Sequence, residues 1–221
     1  MLGDKAFFSE ILPIVFYLIF LKRNRGTGLW VIFFYCCLSW LTENFFFNLF
    51  NLHIPGYIHD SGFTILEFSI ISFYIYSSLR GKKLKYITIL GALIFYPIAI
   101  INFTKEQDSF DSIPASVEAI IIISYCILLL YEQISDPKII FVYDTKVFWV
   151  TIAFFLYFSS TLFLFLYARN LTRAEFNKYW TINNFFEIIK NILLSISFII
   201  KKSSKNPYSQ DLSPENLNPD I

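Results

Sequence analysis

The chain has 221 residues, of which 56% are hydrophobic and 20% aromatic, and its formal net charge at pH 7 is +1. A soluble domain of this length does not bury so large an apolar fraction in one core, whereas a lipid-facing surface accommodates it. The charged residues lie in short intervals between long apolar runs, which excludes a continuous basic groove for nucleic acid. We therefore expect an integral membrane protein that contacts the lipid bilayer and binds no nucleic acid.

Seven apolar runs follow one another along the sequence. A transmembrane helix needs about 20 mainly apolar residues, and these runs approach or exceed that length. We predict an all-α integral membrane bundle of seven transmembrane helices. The first run is short and contains Glu10, so six spans plus an interfacial helix are the alternative. The runs cover 2–21, 29–52, 61–79, 84–103, 113–134, 147–167 and 179–200.

The intervals between the runs carry residues that begin or end helices. Segment 22–28 combines three basic residues with two glycines, and Asp136-Pro137 follows the fifth run. Pro114 stands near the start of that fifth run, where its missing N–H costs no helical hydrogen bond. These boundaries support separate helices.

Lysine and arginine residues of the connecting segments are distributed unequally between the two sides. With the N-terminus outside, twelve of them lie on the inner side and five on the outer side. Cytoplasmic loops carry an excess of basic residues, so we predict an outside N-terminus and a cytoplasmic C-terminus in the inner (cytoplasmic) membrane. The inner residues are Lys22, Arg23, Arg25, Arg80, Lys82, Lys83, Lys85, Lys138, Lys146, Lys201, Lys202 and Lys205; the outer ones are Lys5, Lys105, Arg169, Arg173 and Lys178.

The composition changes after the last run. Residues 203–221 are polar, contain Pro207, Pro214 and Pro219, and have too few apolar side chains to pack a core. We predict a transmembrane domain over residues 1–202 and a disordered cytoplasmic tail over residues 203–221.

Five glutamates lie within the apolar runs, where an ionisable side chain is costly and usually faces the interior of the bundle. Each is nearer the predicted outer end of its run, at depths of roughly 7–14 Å for a rise of about 1.5 Å per residue. The nearly uncharged inner halves argue against a polar path through the whole bundle. The five residues are Glu10, Glu43, Glu67, Glu118 and Glu187.

A polar stripe at helical spacing runs along the last predicted helix, with Asn183 and Lys190 beside it. Together with residues of other runs it predicts an acidic pocket, open outward, for a small solute or a lipid headgroup. In the alternative interpretation, these side chains neutralise and hydrogen-bond one another as structural contacts. The stripe consists of Trp180, Asn184, Glu187, Asn191 and Ser195; the predicted ligand-binding residues are Glu43, Asn44, Glu67, Glu118, Trp180, Asn184, Glu187, Lys190 and Asn191.

Two histidines, His53 and His59, lie with Asp60 in the segment between the second and third runs. A zinc site there needs a third protein ligand, for which Asp60 and Glu67 are the candidates. Two ordinary interfacial histidines are the favoured interpretation, so no metal site is predicted.

No cofactor is predicted either. Lys190 lies midway along the seventh run, where retinal proteins form a Schiff base, but the acidic residue expected four positions earlier is Phe186 here. The chain contains no His-Glu-x-x-His, no Gly-x-Ser-x-Gly and no phosphate-binding glycine loop. We expect no enzymatic activity. The cysteines all fall within apolar runs, where they pack as small hydrophobic side chains; they are Cys36, Cys37 and Cys126.

The last third of the chain carries a more specific pattern. Residues 148–167 read FWVTIAFFLYFSSTLFLFLY, and residues 178–198 read KYWTINNFFEIIKNILLSISF. These segments, with Val117-Glu118, resemble a family of small bacterial multi-pass membrane proteins of uncharacterised function, often found beside sensor histidine kinases. This chain has Asn183 where that family's pattern has a histidine. The resemblance implies a signalling role and a histidine kinase as a partner.

We therefore expect a membrane sensor or accessory signalling component with an outward-facing polar pocket. A small proton-coupled transporter is the alternative, with the intramembrane carboxylates as proton carriers. An enzyme that modifies lipids is the least favoured alternative, because nucleophile and metal motifs are missing.

Overall fold

The computed structural model describes residues 2–44, 56–105, 112–137, 139, 141–167 and 171–201. The predicted tail over 203–221 and the predicted ligand His53 lie outside the described residues, and so do the side chains of Glu43 and Asn44. All regular secondary structure in the described ranges is helical. The predicted all-α class is therefore confirmed for this part of the chain.

Seven helices of at least 15 residues follow one another through the described ranges, and we name them α1 to α7. A short helical turn, Leu21–Asn24, follows α1, and a 3₁₀ turn, Val142–Asp144, precedes α6. Their bounds are Leu2–Ile19 (α1), Trp30–Asn44 (α2), Gly56–Ser78 (α3), Lys82–Lys105 (α4), Ser112–Ile134 (α5), Lys146–Tyr167 (α6) and Arg173–Ile199 (α7).

The start of α7 departs most from the sequence prediction, which placed it at residue 179. Thr172 and Glu175 form a capping box: the backbone N–H of Glu175 donates to Thr172 Oγ1, and that of Thr172 donates to Glu175 Oε2 at 3.0 Å. Such a pair satisfies two N–H groups that a helix start leaves open. The helix therefore begins at Arg173, before the apolar run does.

Successive helices run antiparallel and close into a ring. Helix α1 packs between α2 and α7, α6 packs between α7 and α5, and α3 packs against both α2 and α5. Helix α4 lies outside this ring, against α3 and α5. Its surface exposes large apolar side chains such as Tyr86, Leu93 and Ile100, which suit contact with lipid.

One end of the bundle, here called the basic end, gathers the residues around Ile19, Trp30, Ser78, Lys82, Ile134, Lys146 and Ile199. Arg23 donates to the carbonyl of Ile199 there, and Arg80 pairs with Asp136. At the opposite end, Ser112 Oγ donates to the carbonyl of Phe165 at 2.9 Å. These contacts join the ends of helices that are distant in sequence, as an alternating topology requires.

Four of the described helices, α4 to α7, are long and apolar enough to cross a membrane. The apolar parts of α1 and α2 are shorter, covering Phe8–Ile19 and Trp30–Thr42. Length and composition thus support a multi-pass membrane protein. The full number of seven spans stays a prediction.

Candidate functional site

Three helices bring a buried charged cluster together in the middle of the bundle. The hydroxyl of Tyr35 on α2 donates to Glu67 Oε1 on α3 at 2.7 Å, and Lys190 Nζ on α7 donates to the same hydroxyl at 3.0 Å. Glu187, one turn before Lys190, places Oε1 3.7 Å from Nζ. We call these four residues, together with Tyr157 of a fourth helix, α6, the central cluster.

The hydrogen bonds of this cluster have a direction. Lys190 donates to Tyr35, and Tyr35 donates to Glu67, so a phenol links the ammonium of α7 to a carboxylate of α3. Hydrogen bonds that involve a charged group are stronger than neutral ones. The chain of contacts therefore ties α2, α3 and α7 to one another.

Helix α6 completes the surroundings of Lys190. The Tyr157 ring centroid lies 4.4 Å from Lys190 Nζ, and that of Tyr35 lies 5.3 Å away. An ammonium within about 6 Å of an aromatic face is attracted by the ring's quadrupole. The Tyr157 hydroxyl donates to Asn183 Oδ1 at 3.1 Å, which holds this ring against α7.

The cluster is buried and lies deep relative to the helix ends. Glu67, Glu187 and Lys190 are 7%, 5% and 3% exposed. Glu67 is eleven residues from either end of α3, and Glu187 is fourteen residues after the first residue of α7. At about 1.5 Å per residue, these two glutamates lie roughly 16 Å and 21 Å from those helix starts. These distances exceed the expected 7–14 Å because they are counted from the helix starts, and α3 and α7 begin earlier than their apolar runs do.

A second polar group lies where α1 meets α2 and α7. Ser39 Oγ donates to Glu10 Oε1 at 3.0 Å, and Asn191 Nδ2 donates to Ser9 Oγ at 2.9 Å. All four residues are at most 5% exposed. The glutamate that made the first apolar run doubtful as a span thus faces the bundle, where α2 supplies its hydrogen-bond partner.

Three further predicted pocket residues have described side chains outside both groups. Glu118 is 2% exposed, near the start of α5. Trp180 and Asn184 are half-buried, and the Trp180 ring stacks on Phe176 at 4.9 Å. The structure therefore brings Glu67, Glu187 and Lys190 together.

His59 makes local contacts within the described ranges. Its Nδ1 is 3.0 Å from Asp60 Oδ1, and its Nε2 is 3.3 Å from the carbonyl oxygen of Thr42. The described residues contain no group of three or more His, Cys, Asp or Glu side chains that could hold a metal ion.

Two cavities lie elsewhere in the bundle. One, of about 270 Å³, lies between α1 and α2 and is lined by Ile11, Ile14, Cys37, Trp40 and Leu41. Another, of about 90 Å³, lies at the basic end between residues of α3, α5 and α6. Neither cavity is lined by Glu67, Glu187 or Lys190. The low exposure of these three side chains and their contacts within the cluster make it a closed site in this structure.

The basic end has polar contacts of its own. Asn24, 1% exposed, donates from Nδ2 to the carbonyl of Phe198 at 3.2 Å and accepts from Lys146 Nζ at 2.5 Å. At the start of α4, Glu132 accepts the backbone N–H groups of Arg80 and Gly81. These side chains satisfy backbone groups that helix ends leave open, and they hold the basic ends of neighbouring helices together.

Sequence reasoning missed Tyr35 and Tyr157. Both stand in runs crowded with aromatic residues, where nothing in the spacing separates a tyrosine that bonds a carboxylate from one that packs. A buried lysine and two glutamates in one bundle were the available signal, since such charges need hydrogen-bonding partners.

No protein-family model matches the chain, and no curated protein or solved structure matches it either. The central cluster is therefore the basis on which a function is proposed.

Proposed function

We propose that this protein is a bacterial inner-membrane sensor, or accessory signalling component, which responds to a small solute or lipid headgroup reaching the bundle from the outer side. The observation that carries the proposal is the central cluster. Three charged side chains, each at most 7% exposed, lie close together on α3 and α7, and Tyr35 of α2 links them.

Such a cluster suits a conformational switch, because the loss of any one contact changes the free energy of the buried charges. Burying charges costs several kcal/mol per ion unless geometry and hydrogen bonds compensate. A ligand that replaces one contact of Glu187 or Lys190 weakens or strengthens the interaction of α7 with α2 and α3. Since α7 leads into the predicted cytoplasmic tail, a shift of α7 reaches the inner side directly.

The proposal includes seven spans with the N-terminus outside. Four helices meet the requirement for a span by themselves, and α1 to α3 belong to the same alternating ring. Helix ends at the basic end carry most of the basic residues, which fits a cytoplasmic location. A histidine kinase partner, which the resemblance of the last third implies, would meet this basic end.

Ligand-dependent stabilisation tests the sensor proposal. The purified protein in lipid nanodiscs is heated with a panel of small organic cations, zwitterions, anions and glycerophosphodiester headgroups, and tryptophan fluorescence reports its Tm. We expect at least one compound to raise the Tm of the wild type and to lose this effect in Glu187→Gln. A compound that binds the native state and not the unfolded state raises the Tm of a protein in this way.

Glu175→Gln is the matched control, because Glu175 is an exposed glutamate of the same helix and glutamine also completes a capping box. This control is expected to keep the ligand response. A panel without any stabilising compound, or an effect that survives Glu187→Gln unchanged, contradicts the sensor proposal.

A proton-coupled transporter is the second candidate, and the directed chain from Lys190 through Tyr35 to Glu67 favours it. A phenol between an ammonium and a carboxylate is a geometry through which a proton passes from one to the other. Transport predicts that a pH gradient drives solute uptake into proteoliposomes and that Glu67→Gln abolishes it. The transporter is favoured over the sensor if the pH gradient drives uptake and no compound of the panel gives a Tm shift that depends on Glu187.

A further inference from the structure

The ammonium of Lys190 lies in surroundings that match those of a bound organic cation. Two tyrosine faces lie 4.4 and 5.3 Å from Nζ, the Tyr35 hydroxyl accepts from it at 3.0 Å, and Glu187 lies 3.7 Å away. Aromatic faces combined with carboxylates are the chemistry by which proteins recognise ammonium ligands. The central cluster is therefore a cage for an ammonium group, and a side chain of the protein itself fills it.

The cage contains two acidic side chains and one basic side chain. With all groups ionised, Glu67 and Glu187 carry two negative charges against the one positive charge of Lys190. Glu67 accepts a hydrogen bond from Tyr35, but Glu187 accepts none from the described residues, and its 3.7 Å contact with Nζ is longer than a hydrogen bond. A buried carboxylate with so weak a partner favours a further cationic donor.

Lys190 holds its place in the cage by a flexible stem. A lysine carries a compact ammonium on four methylene groups, unlike the rigid planar fork of arginine. Rotation about the bonds of this stem can therefore displace the ammonium while the helix backbone keeps its conformation. Departure of Nζ also breaks the hydrogen bond between α7 and Tyr35 of α2.

We propose that the central cluster binds a small primary ammonium compound and that Lys190 is its tethered occupant in the free protein. The external ammonium takes the positions of Nζ between Tyr35, Tyr157 and Glu187, and Lys190 moves aside. This inference rests on the proposed function and names the ligand class of that site. Competition with Lys190 couples ligand binding to the contact between α7 and α2.

Chemical rescue of Lys190→Ala tests the cage. Alanine keeps Cβ, so n-propylammonium supplies the atoms that the variant lacks. Thermal unfolding in nanodiscs is followed with n-propylammonium chloride, and with 1-propanol and sodium chloride as controls for shape and ionic strength. We expect the variant to lose thermal stability and to regain it, saturably, with n-propylammonium alone.

The wild type is expected to bind the same probe more weakly. If Lys190 occupies its cage nine-tenths of the time, the apparent Kd for n-propylammonium is about tenfold higher in the wild type than in Lys190→Ala. The Tm shift of the wild type should fall in Glu187→Gln and persist in Glu175→Gln. This second comparison still tests the proposal if Lys190→Ala fails to fold.

Three results overturn the inference. The first is that n-propylammonium causes no Tm shift of the wild type, even when it rescues Lys190→Ala. Lys190 is then a permanent structural group that no external ammonium displaces. The second is that 1-propanol and n-propylammonium have equal effects on Lys190→Ala. The rescue would then come from filling a cavity and would not require an ammonium group. A Tm shift with anionic or neutral solutes alone, lost in Glu187→Gln, overturns the ammonium class and leaves the sensor proposal standing.

Discussion

At the scale of single residues, Tyr35 links two charged groups that lie on different helices. Its hydroxyl accepts from Lys190 and donates to Glu67, so it is both acceptor and donor between two charged groups of different helices. Buried polar groups left without such partners cost free energy. Stability of the central cluster should therefore depend on this one oxygen atom.

Tyr35→Phe removes that oxygen and keeps the ring. We expect the free energy of unfolding to fall by about 1–3 kcal/mol, because two charged groups each lose a hydrogen bond. Unfolding in mixed micelles, followed by tryptophan fluorescence, measures the change. Tyr131→Phe is the control, since Tyr131 is 66% exposed on α5. Similar losses in both variants would show that the Tyr35 hydroxyl contributes no more than an exposed one does.

At the scale of helices, most boundaries follow from local sequence. The predicted runs 84–103, 113–134 and 147–167 lie within two residues of α4, α5 and α6 at both ends. Hydropathy was sufficient there because lipid requires a continuous apolar stretch. It was insufficient for α7, where the capping box at Thr172 adds polar residues to the start of the helix.

Close contact between α4 and α5 depends on one glycine. A Cβ atom on Gly91 would clash with Tyr125 Oη, and this hydroxyl donates to the Thr88 carbonyl at 2.6 Å. Absence of a side chain at residue 91 thus allows a buried hydrogen bond between the two helices. Phe68 and Phe95, stacked at 3.9 Å, similarly join α3 to α4.

Gly91→Ala is expected to destabilise the protein by about 1–3 kcal/mol, because Tyr125 must shift and release Thr88. Gly62→Ala, in α3, is the matched control, since a Cβ atom added to Gly62 has no neighbouring atom within 4 Å. Alanine is the better helix former, so this control is expected to gain up to about 1 kcal/mol. Thermal unfolding of both variants measures these changes, and an equal response at the two glycines would refute the close-contact explanation.

At the scale of the whole molecule, the alternating direction of successive helices places the ends of the described helices on two sides. The proposed orientation then assigns the basic end to the cytoplasm and the start of α7 to the outside. Lys83, at the basic end, and Ala174, near the start of α7, are both exposed and mark the two sides. Their accessibility distinguishes the proposed orientation from its inverse.

Single cysteines at these two positions test the orientation in a background whose three native cysteines are replaced by alanine. In intact spheroplasts, a membrane-impermeant maleimide is expected to label Ala174→Cys and to label Lys83→Cys only after permeabilisation. Mass shifts on denaturing gels report the labelling. The opposite pattern would invert the topology and place the basic loops outside.

Part of the candidate site was also predictable. Glu67, Glu187 and Lys190 were identified because charges inside apolar runs face the interior of a bundle. Their partners were not, since Tyr35 and Lys190 are 155 residues apart in sequence. Whether the three residues lined an open pocket or contacted one another depended on packing, and the structure shows them in contact and buried.

The sequence by itself determined the helical membrane class, the positions of most helices and the segregation of charge, because each depends on hydropathy and residue type within one stretch of chain. Tertiary structure decided which polar side chains meet, how deep they lie and that Lys190 fills a cage of tyrosines and carboxylates. Those outcomes depend on the rotation and neighbours of each helix. Since side-chain pairs between helices are non-local, no single stretch of sequence contains them.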